Sequence, residues 1–172
     1  MSGVDLATKF LANAATAAAG THAVSAAEGL RETLARIVPP GTPVFCPGAT
    51  EIEMAVVDLF PTRVEEYAAA AVTVEEVFGA IAETGTIVCS SEGGRAVQAG
   101  LLPSHHVAIV RRERIYATLN DLFSAVAAAP PTNLTLVTGP SRTADIERVL
   151  TIGVHGPERL VVVVVDDLEG RS

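Results

Sequence analysis

Residues 160–165 read Leu-Val-Val-Val-Val-Val, and this run constrains the fold more than any other part of the sequence. Six residues fall far short of the ~20 that a helix needs to cross a bilayer, so we expect no membrane span. β-branched residues favour strands, and a strand that is apolar at every position has to be covered on both faces. The run therefore predicts an α/β protein in which a mostly parallel sheet is flanked by helices.

Further strands and helices can be expected from local patterns. β-branched content predicts strands at residues 43–46, 86–90, 107–110, 115–117 and 134–138. Capping-box spacing, a Ser or Thr with Glu three residues later, occurs three times and marks helix starts. Asn120 and Thr143 mark two further helix starts. Helices are therefore expected over residues 25–37, 50–60, 73–82, 120–129 and 143–150.

Charge and cysteine content exclude several classes of partner and cofactor. The chain carries 12 basic and 20 acidic residues, a net charge of −8, whereas binding a polyphosphate backbone needs clustered cations. Nucleic acid is therefore not an expected partner. Cys46 and Cys89 lie far apart, and neither belongs to a metal-binding motif. We expect no metal and no cofactor in this chain, because zinc and iron–sulfur sites usually take four ligands.

Length and composition indicate one main domain. A chain of 172 residues can bury its own core without disulfides. Residues 1–24, rich in Ala and Thr, are interpreted as an N-terminal arm or helix, and residues 25–172 as a single α/β domain. The alanine-rich stretch 11–19 is a poor signal sequence, because Asp5 stands where positive charge is expected. A cytoplasmic location follows from this interpretation.

The segment 138–147, Thr-Gly-Pro-Ser-Arg-Thr-Ala-Asp-Ile-Glu, joins a predicted strand to a predicted helix. Such a junction lies at the carboxyl end of a strand, and the free N–H groups of a helix start favour anions. Ser141 and Thr143 add hydroxyl donors, and Arg142 adds a planar fork suited to carboxylate or phosphate. The alternative is that Thr143 only caps the helix and Arg142 pairs with Glu147.

A second candidate segment is 82–87, Ala-Glu-Thr-Gly-Thr-Ile, expected at a helix-to-strand junction. Glu83 could act as a general acid or base, with Gly85 admitting a ligand and Thr84 and Thr86 holding it. A glycine after a helix end is the simpler interpretation. His105 and His106 point to opposite faces of a strand, so together they do not form a metal clamp.

Four segments together resemble the LUD-domain family, typified by lactate utilization protein C. They are Glu-Thr-Gly-Thr-Ile at 83–87, Leu-Pro with a following His at 102–106, the core motif Gly-Pro-Ser-Arg-Thr-Ala-Asp-Ile-Glu at 139–147, and Gly-Val-His-Gly-Pro at 153–157. The resemblance extends over residues 73–166 and strengthens the interpretation of the 139–147 loop as a ligand site.

This resemblance implies a fold of the NagB/RpiA/CoA-transferase type and a part in L-lactate oxidation to pyruvate beside iron–sulfur partner proteins. The ligand would be a small organic acid or a phosphate-containing molecule. The catalytic candidates, chosen by chemistry alone, are Glu83, Arg142 and Asp145. The candidate ligand-binding residues are Thr84, Gly85, Thr86, His106, Gly139, Ser141, Arg142, Thr143 and His155.

Three hypotheses about function remain open at this point. The chain could be a co-catalytic subunit of a lactate-oxidising system that binds a small anion. It could instead be a stand-alone isomerase or CoA-transferase-like enzyme, which only an analogy of fold suggests. The third hypothesis is a sensor of an organic acid. Turnover of a CoA ester or sugar phosphate by the purified chain would favour the second.

Overall fold

A five-stranded parallel sheet forms the centre of the protein in a computed structural model, which describes residues 3–141, 156–166 and 168. The strand order is β1-β9-β6-β3-β2, and each neighbouring pair is parallel. The strands are β1 (Gly20–Val24), β2 (Val44–Phe45), β3 (Val72–Glu76), β6 (His105–Arg111) and β9 (Arg159–Val165). The predicted α/β class and mostly parallel sheet are confirmed.

A second, four-stranded sheet packs beside the first and was not foreseen from the sequence. Its order is β7-β4-β5-β8, with β4/β5 and β5/β8 antiparallel and β4/β7 parallel. The strands are β4 (Gly79–Ile81), β5 (Thr86–Ser90), β7 (Ile115–Tyr116) and β8 (Leu134–Thr138). Residues 82–85 are consequently the turn between two antiparallel strands, and residues 86 and 87 begin β5, so no helix ends in this segment.

Four α-helices complete the described part of the fold: α1 (Leu6–Thr16), α2 (Ala27–Ile37), α3 (Glu51–Met54) and α4 (Leu119–Val126). Alternate residues of β9 enter two different cores. Val161, Val163 and Val165 pack with α2 and α3, whereas Leu160, Val162 and Val164 pack with α1 and the second sheet. Both faces of the valine run are therefore covered. No helix in the described ranges is long and apolar enough to span a membrane.

The predicted helix over 73–82 is wrong, because this segment forms β3 and β4. Val72 and Val74 are buried in the core that contains α2, and the strand pairs with β2 and β6. The hydroxyl of Thr73 does not cap a helix but donates to the carbonyl oxygen of Ala99 at 2.6 Å. Pairing and burial on both faces outweighed a capping signal that only four residues carried.

The helix predictions over 25–37, 50–60 and 120–129 hold with shifted ends. Thr50 and Glu53 form the expected capping box, although α3 ends after one turn and a 3₁₀ turn follows at Val57–Leu59. α2 begins at Ala27 with no side-chain cap. α4 is capped by Thr118, two residues before the predicted Asn120. The helix expected over 143–150 lies outside the described residues.

The N-terminal segment, predicted as an arm or helix, contains α1 and also an edge strand of the main sheet. β1 pairs with β9 from Gly20 opposite Val161 to Val24 opposite Val165. The Asn13 amide of α1 donates to the carbonyl oxygens of Ala82 at 2.7 Å and Glu83 at 3.2 Å. The helix is thereby tied to the β4–β5 turn.

Two glycines of the candidate ligand segments lie directly against the end of α1. Gly85 has φ +68°, and a Cβ there would stand 2.2 Å from the backbone nitrogen of Ala14. Gly139 has φ +69°, and its Cβ would stand 2.1 Å from the carbonyl oxygen of Ala17. Close backbone packing therefore accounts for both glycines without a ligand.

We expect Gly85→Ala to destabilise the fold far more than Gly93→Ala. Both glycines have φ +68°, but a Cβ at Gly93 would meet nothing within 4 Å. The control, Gly93→Ala, should lower the free energy of unfolding by roughly 1–2 kcal/mol through backbone strain. Gly85→Ala should lower it by about 1–3 kcal/mol more, because its Cβ overpacks the contact with α1. Denaturant unfolding measures the difference, and equal losses would refute the close contact with α1.

Candidate functional site

A buried carboxylate anchors the carboxyl end of β3. Glu53, on α3, is fully buried and accepts hydrogen bonds from the backbone N–H groups of Ala49 at 2.8 Å, Thr50 at 3.3 Å and Glu76 at 2.9 Å. Its remaining partner is the guanidinium of Arg95. Charged groups are tolerated in a protein interior only when they are paired in this way, so Glu53 fixes α3 to the end of the strand.

Arg95 joins Glu53 to a second carboxylate on β3. Its Nη2 contacts Glu53, lies 3.4 Å from Glu75 Oε2 and donates to the carbonyl oxygen of Glu76 at 3.0 Å. Burial by itself lowers the pKa of Arg95, but the hydrogen bond to Glu53 and the two carboxylate charges raise it overall. Arg95 is therefore a permanent cation between two buried carboxyl groups, and we call these three residues the Glu53–Arg95–Glu75 network.

His106 lies beneath this network. Its side chain is fully buried, and Nε2 is 3.0 Å from Glu75 Oε1, although the angles give neither ring nitrogen a hydrogen bond. A Cβ on Gly100 would stand 2.7 Å from His106 Cε1, so only glycine leaves room for the ring. Burial, with the nearby charge of Arg159, lowers the pKa of the neighbouring His105 to about 4. The interior thus holds His105 neutral at physiological pH.

A cavity of about 210 Å³, here called the β3 cavity, opens beside the network. Glu75 and Glu76 line it from the end of β3, and Cys89 lines it from the end of β5. Ligands of open α/β sheets bind outside the carboxyl ends of parallel strands, which is where this cavity lies. Further lining residues are Arg95, Phe78 and Arg114.

Neither cysteine has the character of a nucleophile or a metal ligand. Cys46 and Cys89 are both buried and free. Burial and the charge of Glu53 raise the pKa of Cys46 to about 11, and burial with the charge of Glu75 raises that of Cys89 further. Both are therefore neutral thiols near pH 7. In the described part of the chain, no group of three or more His, Cys, Asp or Glu residues could hold a metal ion.

The structure brings five of the predicted ligand residues together at the β4–β5 turn and the end of β8. Thr86 Oγ1 lies 2.6 Å from both Thr84 Oγ1 and Thr138 Oγ1. Gly85 and Gly139 adjoin this hydroxyl chain and α1. Ser141 follows, with its N–H donating to the carbonyl oxygen of Pro157 at 2.8 Å.

A second cavity of about 370 Å³, here called the β8 cavity, lies at this loop. Its walls include Gly139, Pro140, Ser141 and Gly156. Of the other predicted residues, Arg142, Thr143, Asp145 and His155 lie outside the described residues. His106 is not among the residues that line either cavity.

Glu83 has a structural partner. Its Oε1 accepts a hydrogen bond from the backbone N–H of Leu119, the first residue of α4, at 3.0 Å. A carboxylate at this position satisfies an otherwise unpaired N–H group and favours the positive end of the helix. A catalytic role for Glu83 stays a prediction beside this capping function.

Comparison with known proteins identifies the family. The LUD domain model matches residues 63–165. The chain belongs to the LUD domain family. The resemblance predicted from the sequence motifs is thereby confirmed. A crystal structure of a DUF162 family protein from Deinococcus radiodurans has a TM-score of 0.72 to this LUD domain chain, with 28% identity over 93% of this chain and 96% of the other.

Curated relatives of this LUD domain chain are named lactate utilization protein C. The protein from Macrococcus caseolyticus is 36% identical over 111 residues, which are 61% of this chain and 47% of the relative. The protein from Deinococcus radiodurans is 44% identical over 91 residues, 50% of this chain and 42% of the relative. The matched region thus spans less than half the length of these relatives.

The sequence motifs did not point to the Glu53–Arg95–Glu75 network. Glu53 was recognised only as a capping residue, and Glu75 was placed on a helix that does not exist. Arg95 follows two glycines in a loop that matches no motif. A usable signal was present, because carboxylates that end a β-branched run would lie at the carboxyl edge of a parallel sheet.

We expect Glu53→Ala to lower the free energy of unfolding by about 3–5 kcal/mol, because Arg95 and three N–H groups lose their buried acceptor. Asp58→Ala is the matched control. Asp58 pairs with Arg31 at 2.7 Å, but the two side chains are 67% and 36% exposed, so the loss should stay below about 1 kcal/mol. Similar losses in denaturant unfolding would show that the buried carboxylate is not an anchor.

Proposed function

We propose that this LUD domain chain takes part in the oxidation of L-lactate to pyruvate as a cytoplasmic subunit that acts with iron–sulfur partner proteins. The observation that carries the proposal is the similarity to lactate utilization protein C from several bacteria. Oxidation of lactate to pyruvate releases two electrons and two protons. The chain has two cysteines, both buried, too few for a four-ligand cluster, so we assign the electron carriers to partner proteins.

We further propose that the loop 139–147 binds a small anion, either an organic acid or a phosphate group. The β8 cavity supports this, because Gly139 and Ser141 are among its lining residues. The next residue, Arg142, would bring a guanidinium to the same place, and Thr143 a hydroxyl. We retain Arg142 and Asp145 as catalytic candidates, with His155 as a group that orients the anion.

Deleting the gene should impair growth on L-lactate while leaving growth on glucose intact, because the proposed role is confined to lactate oxidation. Growth rate and residual lactate in the medium are the measurements. Complementation with the intact gene serves as the control. Normal lactate consumption in a deletant that has no paralogue would contradict the proposed function.

Arg142→Ala should lower the affinity of the loop for its anion by ~10- to 150-fold, the loss expected for a charge-assisted hydrogen bond. The measurement is calorimetric titration of lactate, pyruvate, phosphate and CoA into both proteins, with thermal melts alongside. Arg112→Ala is the control for loss of charge, because Arg112 makes surface ion pairs with Asp5 and Asp166. If Arg142→Ala melts lower yet binds every anion as wild type does, the arginine has a structural role only.

A further inference from the structure

One edge of the second sheet is open. β8 is the last strand of this sheet, and it pairs with β5 from Leu134 opposite Ser90 to Thr138 opposite Thr86. No other strand in the described ranges pairs with β8. Along an edge strand, part of the backbone N–H and C=O groups point away from the sheet, where another chain can bind them. β8 is therefore a template for one more strand.

β8 lacks the features that usually protect an edge strand from pairing. Proteins place charges or proline on such strands, shorten them or cover them. β8 reads Leu-Thr-Leu-Val-Thr, and no Asp, Glu, Lys or Arg occurs between Asp121 and Arg142. There is also space beside the strand, because residues 135–138 line the β8 cavity. Within the described part of the chain, this edge is uncharged and accessible.

An exposed leucine lies at the centre of the strand. Leu136 is 43% exposed, and no other large apolar side chain on a described strand is exposed. Its partner across the ladder is Val88, which is fully buried in one core cluster with Leu122 of α4. Residues opposite each other in a ladder share a face of the sheet. Leu136 therefore continues this apolar cluster beyond the cover that α4 provides.

The other edges of the two sheets differ from β8 in the described part of the chain. β2 and β7 have only two residues each. β1 is as long as β8, but it has no exposed large apolar side chain. A charge also lies near β1, because burial and then the charge of Arg36 lower the pKa of His22. Only β8 combines sufficient length, absence of charge and an exposed apolar residue.

Charge and symmetry favour a second copy of the chain as the partner of β8. Each copy carries a net charge of −8, and like charges across an interface repel, so two copies can meet only through uncharged surfaces. A partner recognised through its charge would find no complementary charge on β8. Antiparallel pairing of β8 with itself places Leu136 opposite Leu136 of the second copy. Such a self-complementary contact is what a two-fold dimer requires.

We infer that two copies of this chain associate through β8, antiparallel and centred on Leu136, so that their four-stranded sheets join into one. Residues 139–141 follow the paired strand, so the proposed anion loop begins outside the new ladder. The inference concerns assembly and does not rest on the proposed function. A contact built around a five-residue strand is at the small end of protein interfaces, so the dimer should dissociate on dilution.

Sedimentation of the full chain from micromolar to millimolar concentration tests the association. The mass of wild type should rise from 17.8 kDa toward twice that value. Leu136→Lys should raise the dissociation constant at least ~tenfold, because it removes an apolar contact and sets two like charges opposite each other. Met54→Lys is the matched control. Met54 is 61% exposed on α3, which packs on the other face of the main sheet, so this variant should dimerise like wild type.

Two further measurements test the register. A mixture of Leu136→Lys with Leu136→Asp should dimerise more tightly than either variant alone, because opposite charges then face each other. Leu136→Cys should form a disulfide between copies on mild oxidation, since residues directly opposite in a ladder are close enough for one. The two natural cysteines are buried and do not compete. Met54→Cys serves as the control and should not cross-link.

A wild-type mass that stays at 17.8 kDa at every concentration would overturn the inference. Dimerisation of Leu136→Lys as tight as that of Met54→Lys would overturn it too. If the mixture gains no affinity and Leu136→Cys does not cross-link, the pairing centred on Leu136 is wrong. Thermal melts identify a variant that fails to fold, and in that case the wild-type mass and the Leu136→Cys cross-link decide.

Discussion

The fold depends on the requirement to cover both faces of β9. This strand lies between β1 and β6, and its side chains alternate between two cores. Burial of a valine side chain is worth about 1.5–3 kcal/mol, so exposing either face would remove much of the stability of a domain. α2 and α3 cover one face. The other face is too wide for α1 alone, and the second sheet completes its cover.

The second sheet also determines where the β3 cavity forms. Because it packs against the same face as α1, the ends of β3 and β5 come together and leave the β3 cavity between them. Glu53 and Arg95 satisfy several of the buried polar groups there, including the backbone N–H and carbonyl groups of Glu76. Charged side chains in fixed positions therefore surround the β3 cavity, and such a cavity favours ligands whose charges are complementary to them.

Strands and helices that are determined by a short stretch of sequence could be predicted. The valine run gave β9, and the capping box at Thr50 and Glu53 gave the start of α3. β3 was missed because its Thr and Glu residues mimic the same capping box, while its true partners, β2 and β6, are distant in the sequence. No local pattern reports such pairing.

In the candidate site, too, local sequence patterns identified some residues and missed those that only the tertiary structure brings together. Gly85 and Gly139 are predicted ligand-binding residues from their motifs, and the structure adds that their backbones pack on α1, which no local pattern reports. Glu75 and Arg95 lie twenty residues apart, and only the parallel pairing of β3 and the course of the following loop bring their side chains within 3.4 Å. Their association is a property of the tertiary structure, so a search for motifs had no means to detect it.

Because β9 lies inside the main sheet, between β1 and β6, the unit that folds is larger than the segment that the family model matches. The family match begins at residue 63, whereas β1, α1 and α2, which flank and cover β9, all precede it. A fragment cut at the boundary of sequence similarity would expose one edge of β9 and much of both valine faces. Recombination between relatives would therefore have to carry the residues that form β1, α1 and α2 along with the matched segment.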